Sequence, residues 1–146
     1  MKTVLELKNL DIKILSNENK QIVEDVNLLV NESQTVALVG ESGSGKSMSA
    51  HSILNLLPSS ANFKVDGKIL FENKNILELS AKEILILRGN QISMIFQEPM
   101  SALNPLHTVY QQIAEIITVH NPMNKVDLDK KVFDLLKKVE LQKYGR

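Results

Sequence analysis

Eight residues near position 40 have the types and spacing of a phosphate-binding loop, in the pattern G-x-x-x-x-G-K-S. They are Gly40, Glu41, Ser42, Gly43, Ser44, Gly45, Lys46 and Ser47. Glycine at the loop positions permits positive φ and the close approach of an anion, which a β-carbon would obstruct. In such a loop the lysine reaches the β- and γ-phosphates of a nucleotide, and the hydroxyl of Ser47 ligates Mg²⁺. The motif therefore predicts a site for nucleotide phosphates.

The segments on either side of this loop determine whether it can work. A phosphate is bound where a buried strand turns sharply into a helix, because backbone N–H groups and the helix N-terminus then converge on the anion. Residues 36–39 are apolar throughout, which predicts a strand buried on both faces as in a parallel sheet. Residues 48–57 are compatible with a helix that Pro58 would end. The alternative is an ordinary Gly/Ser-rich turn between a strand and a helix.

The first 35 residues predict antiparallel strands. Leu5 and Leu7 alternate on one face, and the alternation resumes one position out of phase at Leu10, Ile12 and Ile14. This slip predicts a bulge or bend near Asn9. A second strand is expected over residues 22–30, after a polar turn at residues 16–20.

Residues 59–146 predict further strands and three helices. Asp66-Gly67 has the composition of a two-residue hairpin turn between strands at 63–65 and 69–71. Ser80 and Glu83 form a capping box for a short helix, and residues 92–96 predict a second buried strand. Thr108 would cap a helix with apolar positions Ile113, Ile116 and Ile117. A last helix over residues 127–141 is expected to bury Leu128, Val132, Leu135, Leu136 and Val139.

Gln97 follows the second buried-strand candidate. The C-terminal ends of parallel strands meet at one edge of a sheet, where ligands bind. There the Gln97 amide can orient Mg²⁺ or an attacking water, although a single glutamine is equally compatible with a capping or packing role.

Composition excludes several classes of function. The chain has 146 residues, enough for one domain, with 17 basic and 17 acidic residues, so no net charge favours nucleic acid. Without cysteine there are no disulfides or thiolate metal sites. The three histidines, His51, His107 and His120, lack metal-ligand spacing. We see no signal peptide or membrane span and expect any membrane role to come through a partner.

Two motifs together point to a family. The string from Val39 to Ser47, followed by Phe96-Gln97-Glu98-Pro99-Met100 and Leu103-Asn104-Pro105, resembles the ATP-binding subunits of ABC transporters. More narrowly, it is similar to the oligopeptide, dipeptide and nickel importer ATPases. The resemblance implies an α/β P-loop NTPase fold, the ABC nucleotide-binding domain, with an N-terminal antiparallel β subdomain.

The resemblance also divides the chain. Residues 1–35 would form the antiparallel β part, and residues 36–58 the P-loop strand and helix. Residues 59–97 would contain a β hairpin, a helix and the Q-loop strand. Residues 98–146 would begin the helical subdomain.

The resemblance further implies ligands and partners. The ligands would be ATP and Mg²⁺, with Gln97 as the Q-loop glutamine that senses Mg²⁺ and the γ-phosphate. A second ATP-binding subunit would complete a head-to-tail dimer. Transmembrane permease subunits would dock on the loop after Gln97, at the cytoplasmic face of the cell membrane.

The chain departs from the family pattern at several positions. Ile14 stands where the family places an aromatic ring for adenine, and Ser33-Gln34 stands where it usually has Gly-Glu. The signature motif, the Walker B strand that lies between the P-loop and Q-loop strands, and the switch histidine are not found. We therefore expect an N-terminal fragment with an incomplete core sheet that does not hydrolyse ATP alone. The alternatives are a truncated, non-catalytic module that pairs with an intact subunit, and an unrelated small P-loop enzyme.

Overall fold

The computed structural model describes residues 1–16, 18–97 and 103–141. The chain forms two compact units, Met1–Leu85 and Ile86–Arg146. The first unit is built on a four-stranded antiparallel sheet with the strand order β2-β1-β3-β4. The strands are β1 (Thr3–Ile14), β2 (Lys20–Asn31), β3 (Phe63–Phe71) and β4 (Lys74–Asn75).

One face of this sheet forms the core of the first unit. The paired residues Ile12 and Val23 are buried, as are Leu7 and Leu10 in β1 and Ile69 in β3. Residues that pair directly across strands share a face, so this inner face continues from β2 through β1 to β3. The predicted hairpin of the first two strands is confirmed.

A bulge at Asn9 brings Leu7 and Leu10 onto the same face. The register of β1 shifts between these two leucines against β2, and Asn9 has a φ of 46°. The Asn9 side chain donates a hydrogen bond to Asp25 Oδ1 at 2.7 Å, and its backbone N–H donates to Asn27 Oδ1 at 2.9 Å. The predicted bulge is thus confirmed, and polar side chains of β2 satisfy it.

The predicted hairpin turn at Asp66-Gly67 is wrong. The strand β3 runs through both residues and pairs with β1 on either side of them. Gly67, with a φ of 97°, lies against the bulge, where a β-carbon would be 2.2 Å from the carbonyl oxygen of Asn9. Glycine is therefore required here by the bulge of the neighbouring strand. The actual turn is at Glu72 and Asn73, both at positive φ, and leads into β4.

Three short helical segments complete the first unit and its boundary. They are α1 (Lys46–Ile53), a 3-10 helix (Ile76–Glu78) and α2 (Ala81–Leu87). Helix α1 ends well before Pro58, contrary to the prediction, because Asn55 adopts the left-handed conformation, φ 51°, and the Leu56 N–H donates to His51 O. The capping box of α2 is confirmed, since the Ser80 N–H donates to Glu83 Oε2 at 2.8 Å.

The two predicted parallel strands are not formed. Residues 36–39 and 93–96 have no strand structure, and Ile92 makes only an isolated bridge to Arg88. Val39 is 89% exposed and Ile95 is 95% exposed. A strand requires a hydrogen-bonded neighbour, and within the described ranges no strand pairs with either segment. The prediction of an incomplete core sheet is consistent with this finding.

In the second unit, the described residues after α2 form the helices α3 (Val109–His120) and α4 (Lys125–Lys138). The predicted capping box of α3 is confirmed, with Thr108 as the N-cap and Gln111 reaching back to it. The buried cluster between the helices is Ala114, Ile117, Val132 and Leu136.

Helix α4 differs from the prediction at both ends, since it ends at Lys138 and the predicted helix ends at residue 141. It begins two residues earlier, because the Asn124 side chain accepts a hydrogen bond from the Asp127 N–H. The expected burial of Leu135 and Val139 is wrong, since both are exposed. Only a narrow stripe of each helix is covered when two helices pack on one another.

Candidate phosphate-binding site

The glycine-rich loop is anchored on β2 at Gly45. This residue is the N-cap of α1, with a φ of 86°, and it is buried. A β-carbon here would lie 2.7 Å from the carbonyl oxygen of Ile22 and 2.8 Å from Val23 Cγ2. Any side chain would therefore force the loop away from the sheet. Gly45 holds the N-terminus of α1 against the inner face, close to the first residues of β2.

The Lys46 ammonium lies inside the loop. Its Nζ donates hydrogen bonds to Gly40 O at 2.8 Å, Glu41 O at 2.6 Å and Ser44 Oγ at 3.2 Å. These three acceptors use all three donors of an ammonium group. All three acceptors are neutral, and a hydrogen bond to an anion is roughly twice as strong. A phosphate oxygen can therefore take the place of one of these acceptors with a gain in free energy.

The loop opens onto a cavity of about 140 Å³. Ser47 lies in the first turn of α1 and is exposed. Its hydroxyl is therefore accessible to a metal ion. Among the residues that the structure describes, no carboxylate lines the cavity, whose walls are Ile22, Gly43, Ser44, Gly45, Lys46, Ser47 and Met48. The donors are a cation, a hydroxyl and the N–H groups of a helix N-terminus, which suit a phosphate group. The residues present therefore fit a nucleotide phosphate with Mg²⁺.

Two buried serines fix the position of α1. The Ser49 hydroxyl donates to Gly45 O at 3.1 Å, and the Ser52 hydroxyl donates to Ser49 O at 2.7 Å. Both side chains are small, and helix α1 contacts both β1 and β2. Small residues at these positions let the helix backbone approach the sheet closely. The N-terminus of α1 thereby lies close to the sheet.

Ile14 is the last residue of β1 and is half-buried. It pairs with Lys20 in β2 and with Phe63 in β3, on the same face as Ile12. This face is the one against which the loop packs, because Val23, the partner of Ile12, lies against Gly45. Ile14, the predicted base-contacting position, therefore lies on the face of the sheet that the loop meets.

Gln97 belongs to the second unit, and its side chain is exposed. The predicted docking segment begins directly after it, and residues 98–102 of that segment lie outside the described residues. The backbone N–H of Leu106 donates to Asn104 Oδ1 at 3.0 Å, and Asn104 N–H donates to the Gln112 side chain. These bonds tie the end of the segment to helix α3.

Two residues of the site were missed in the sequence. Ile22 and Met48 line the phosphate cavity, and neither belongs to a recognisable motif. Ile22 lies in β2, where alternation predicts only a strand. Its closeness to the loop depends on how β2 meets Gly45, which no local pattern reveals. Met48 follows the motif directly and is the one of the two that helix periodicity could have found.

Among the described residues, no helix combines the length and the apolar character needed to cross a membrane. The same residues hold no group of three or more metal-binding side chains (His, Cys, Asp or Glu) that could bind a metal ion by themselves.

Comparison with known proteins identifies relatives of the chain. The profile of the ABC transporter family matches residues 23–145. The dipeptide transport ATP-binding protein DppD of Bacillus subtilis is 41% identical over 99% of this chain and 44% of its own length. The oligopeptide transport ATP-binding protein AppD of the same organism is 40% identical over 95% of the chain and 43% of its length. The chain thus spans roughly two fifths of these curated relatives.

Solved structures agree with this result. The dimeric structure of MJ0796, a bacterial ABC transporter cassette, matches with a TM-score of 0.81 and 25% identity, over 97% of this chain and 60% of that one. A post-hydrolysis structure of the same cassette, bound to ADP and Pi, matches equally well. The predicted α/β fold with its antiparallel subdomain is confirmed. Because the family profile covers most of its length, including the glycine-rich loop at residues 40–47, the chain belongs to the ABC transporter family.

Proposed function

We propose that this chain is an ATP-binding part of an ABC importer and that residues 40–47 bind the triphosphate of ATP together with Mg²⁺. The observation that carries the proposal is the position of the Lys46 ammonium inside a glycine-rich loop at the N-terminus of α1. A cation and a helix N-terminus directed at one point favour a polyanion over any neutral ligand.

The roles of individual residues follow from the chemistry of the loop. Lys46 would neutralise charge on the β- and γ-phosphates, and Ser47 would offer its exposed hydroxyl to Mg²⁺. The glycines at 40, 43 and 45 let backbone N–H groups approach the phosphate oxygens. Bound Mg²⁺ supplies positive charge between the phosphates, where it opposes their mutual repulsion.

We propose a transport role from the names of the relatives. The Bacillus subtilis relatives are peptide transport proteins, and this favours peptides over nickel complexes as the cargo. The MJ0796 cassette is dimeric, which supports a second ATP-binding subunit in a head-to-tail pair. Permease subunits would dock on the segment after Gln97, and the protein would then work at the cytoplasmic face of the membrane.

Binding of ATP can be tested directly on the purified chain. Isothermal titration with MgATP should give saturable binding that Lys46→Ala weakens about 10- to 100-fold, because a hydrogen bond to a charged group contributes roughly 1.5–3 kcal/mol. The matched control is Lys68→Ala. Lys68 is exposed in β3 and pairs with Lys8 of β1. It lies on the outer face of the sheet, opposite to the face that the loop meets. Equal binding by the Lys46 and Lys68 variants would contradict the proposal.

The role of Gln97 needs a separate measurement. If its amide senses Mg²⁺ and the γ-phosphate, Gln97→Ala should lower the affinity for MgATP several-fold and leave the affinity for MgADP unchanged. Gln91 is an exposed glutamine in the same unit, and Gln91→Ala is the control. A loss of affinity that is the same for both nucleotides would exclude γ-phosphate sensing.

A further inference from the structure

The inner face of the sheet extends beyond the phosphate-binding loop. Ile22 forms part of the cavity wall, and Val23 lies against Gly45. From this point the same face continues across β1 at Ile12 and Ile14 and reaches β3 at Val65 and Phe63. Side chains that pair directly across strands share a face, so these residues of β1 and β3 lie on the same side as Val23, which meets the loop.

The apolar shelf consists of Ile12, Ile14, Phe63 and Val65. Ile14 pairs with Lys20 on one side and with Phe63 on the other. Neighbouring strands are about 4.8 Å apart, so Phe63 lies roughly 10 Å from the line of β2, which borders the cavity. Ile14 and Phe63 are both half-buried, and each therefore keeps part of its apolar surface open to a ligand.

Phe63 is the aromatic residue on this shelf. The first unit contains two aromatic side chains, Phe63 and Phe71, at opposite ends of β3. Phe71 pairs with Leu5. It is eight residues from Phe63 along β3, so the two phenylalanines are about 26 Å apart. Ile14, the shelf residue between Phe63 and β2, offers only aliphatic contact. An aromatic face stacks on any nucleobase, whereas a branched aliphatic side chain gives only dispersion contact.

We propose that Phe63 is a nucleotide-binding residue of this protein and provides the aromatic contact to the purine base while Ile14 provides an apolar contact beside it. This inference rests on the proposed binding of ATP at residues 40–47. The phosphates would lie at Lys46, and the ribose and base would extend from the cavity wall at Ile22 along the shelf. In this arrangement the aromatic contact to the base comes from β3, one strand beyond Ile14 of β1.

The test compares a nucleotide with a ligand that has no base. Calorimetric titration of the 146-residue chain with MgATP and with magnesium tripolyphosphate separates base contacts from phosphate contacts. Phe63→Leu should weaken MgATP binding about five- to tenfold, since stacking on an aromatic ring is lost, and should leave tripolyphosphate binding within about twofold. Phe71→Leu, the same substitution on the same face of the same strand, should change neither affinity.

A rescue variant strengthens the test. Ile14→Phe in the Phe63→Leu background should restore the affinity for MgATP, because an aromatic ring again faces the base from the adjacent strand. A purely structural role for Phe63 would instead weaken both ligands equally, and circular dichroism melting of each variant reports any loss of fold. Equal weakening, or no effect of Phe63→Leu on MgATP, would overturn the inference.

The failure of the underlying proposal has a different signature. If neither ligand binds, or if Lys46→Ala binds both as well as the unmodified chain does, the site at residues 40–47 is wrong and the role of Phe63 falls with it. Binding of both ligands that depends on Lys46 and not on Phe63 overturns only the base contact.

Discussion

At the scale of single residues, the glycines of the loop differ in how much space surrounds them. Gly45 adopts a left-handed conformation directly against the backbone of β2, while Gly43 has a similar φ, 82°, with nothing within 4 Å of the position of a β-carbon. Lys46 is held by three oxygens of its own loop. A substitution at Gly43 therefore adds only the free-energy cost of positive φ, whereas one at Gly45 adds the cost of a steric clash as well.

We predict that Gly45→Ala destabilises the protein more than Gly43→Ala. Both variants place a β-carbon at positive φ, which costs about 1–2 kcal/mol. Only Gly45→Ala adds a contact of 2.7 Å with the Ile22 carbonyl oxygen. Urea unfolding should show a free energy of unfolding about 1 kcal/mol lower for Gly45→Ala than for Gly43→Ala. Equal losses would mean that the loop moves away from β2 freely.

A second prediction concerns the bulge and pH. Hydrogen bonds from the side chains of Asn9 and then Asn27 lower the pKa of Asp25 below its ordinary value of 3.8. The ionised carboxylate therefore stabilises the folded state above that value, and this stabilisation is lost as the pH falls through the lower folded-state pKa.

The difference between the unmodified chain and Asp25→Asn isolates this effect. Asparagine also tolerates the positive φ of 45° at this position. We expect the urea midpoint of the unmodified chain to exceed that of Asp25→Asn at pH 6, and this difference to shrink as the pH falls below 3.8. A difference that is independent of pH would show that the charge of Asp25 does not stabilise the bulge.

At the scale of elements, the helix ends are set by local side chains and the strand ends by their neighbours. Helices α2 and α3 begin with reciprocal capping boxes, and α4 begins with an asparagine cap. Strand β3 instead passes through a strong turn sequence, because its pairing with β1 holds it extended. Helix starts marked by a capping box are therefore readable in the sequence, whereas strand limits depend on residues far along the chain.

We predict that Thr108→Ala lowers the stability of helix α3 by about 1 kcal/mol, the usual effect of removing an N-cap hydroxyl. The matched control is Thr118→Ala in the same helix. The Thr118 hydroxyl donates to Ala114 O, an acceptor that the helix already uses, and alanine has the higher helix propensity. Thermal unfolding followed by circular dichroism should show a loss for Thr108→Ala and no loss, or a gain, for Thr118→Ala.

At the scale of the whole molecule, each unit has its own small core and exposes an apolar segment without strand pairing in the described residues. Residues 36–39 belong to the first unit and residues 93–96 to the second, and the most exposed positions are Val39 and Ile95. Exposed apolar segments promote association between chains.

We predict that the purified chain self-associates with increasing concentration and that Val39→Lys reduces this association without loss of folding stability. The charged side chain opposes strand pairing at an exposed edge. Val126→Lys is the control, because Val126 is similarly exposed but lies on the surface of helix α4. Light scattering across a concentration series measures the effect. An equal reduction by both variants would indicate that net charge alone, and not residues 36–39, controls association.

The sequence by itself determined the glycine-rich loop motif, the first hairpin with its bulge, the capping boxes of α2 and α3, and the family. Each depends on residues close together in the chain: the spacing of Gly40, Gly45 and Lys46, the phase slip around Asn9, and the reciprocal pairs Ser80/Glu83 and Thr108/Gln111. Local chemistry is sufficient for such features because their partners are only a few residues away.

Only the tertiary structure decided which extended segments become strands and which side chains meet the loop. Asp66-Gly67 became part of a continuous strand, and the apolar residues 36–39 remained unpaired. Likewise, Ile22 reached the phosphate cavity and Phe63 became the neighbour of Ile14. A strand exists only by hydrogen bonding to another strand, so its limits and its neighbours are set by pairing across the sheet and not by the composition of the segment itself.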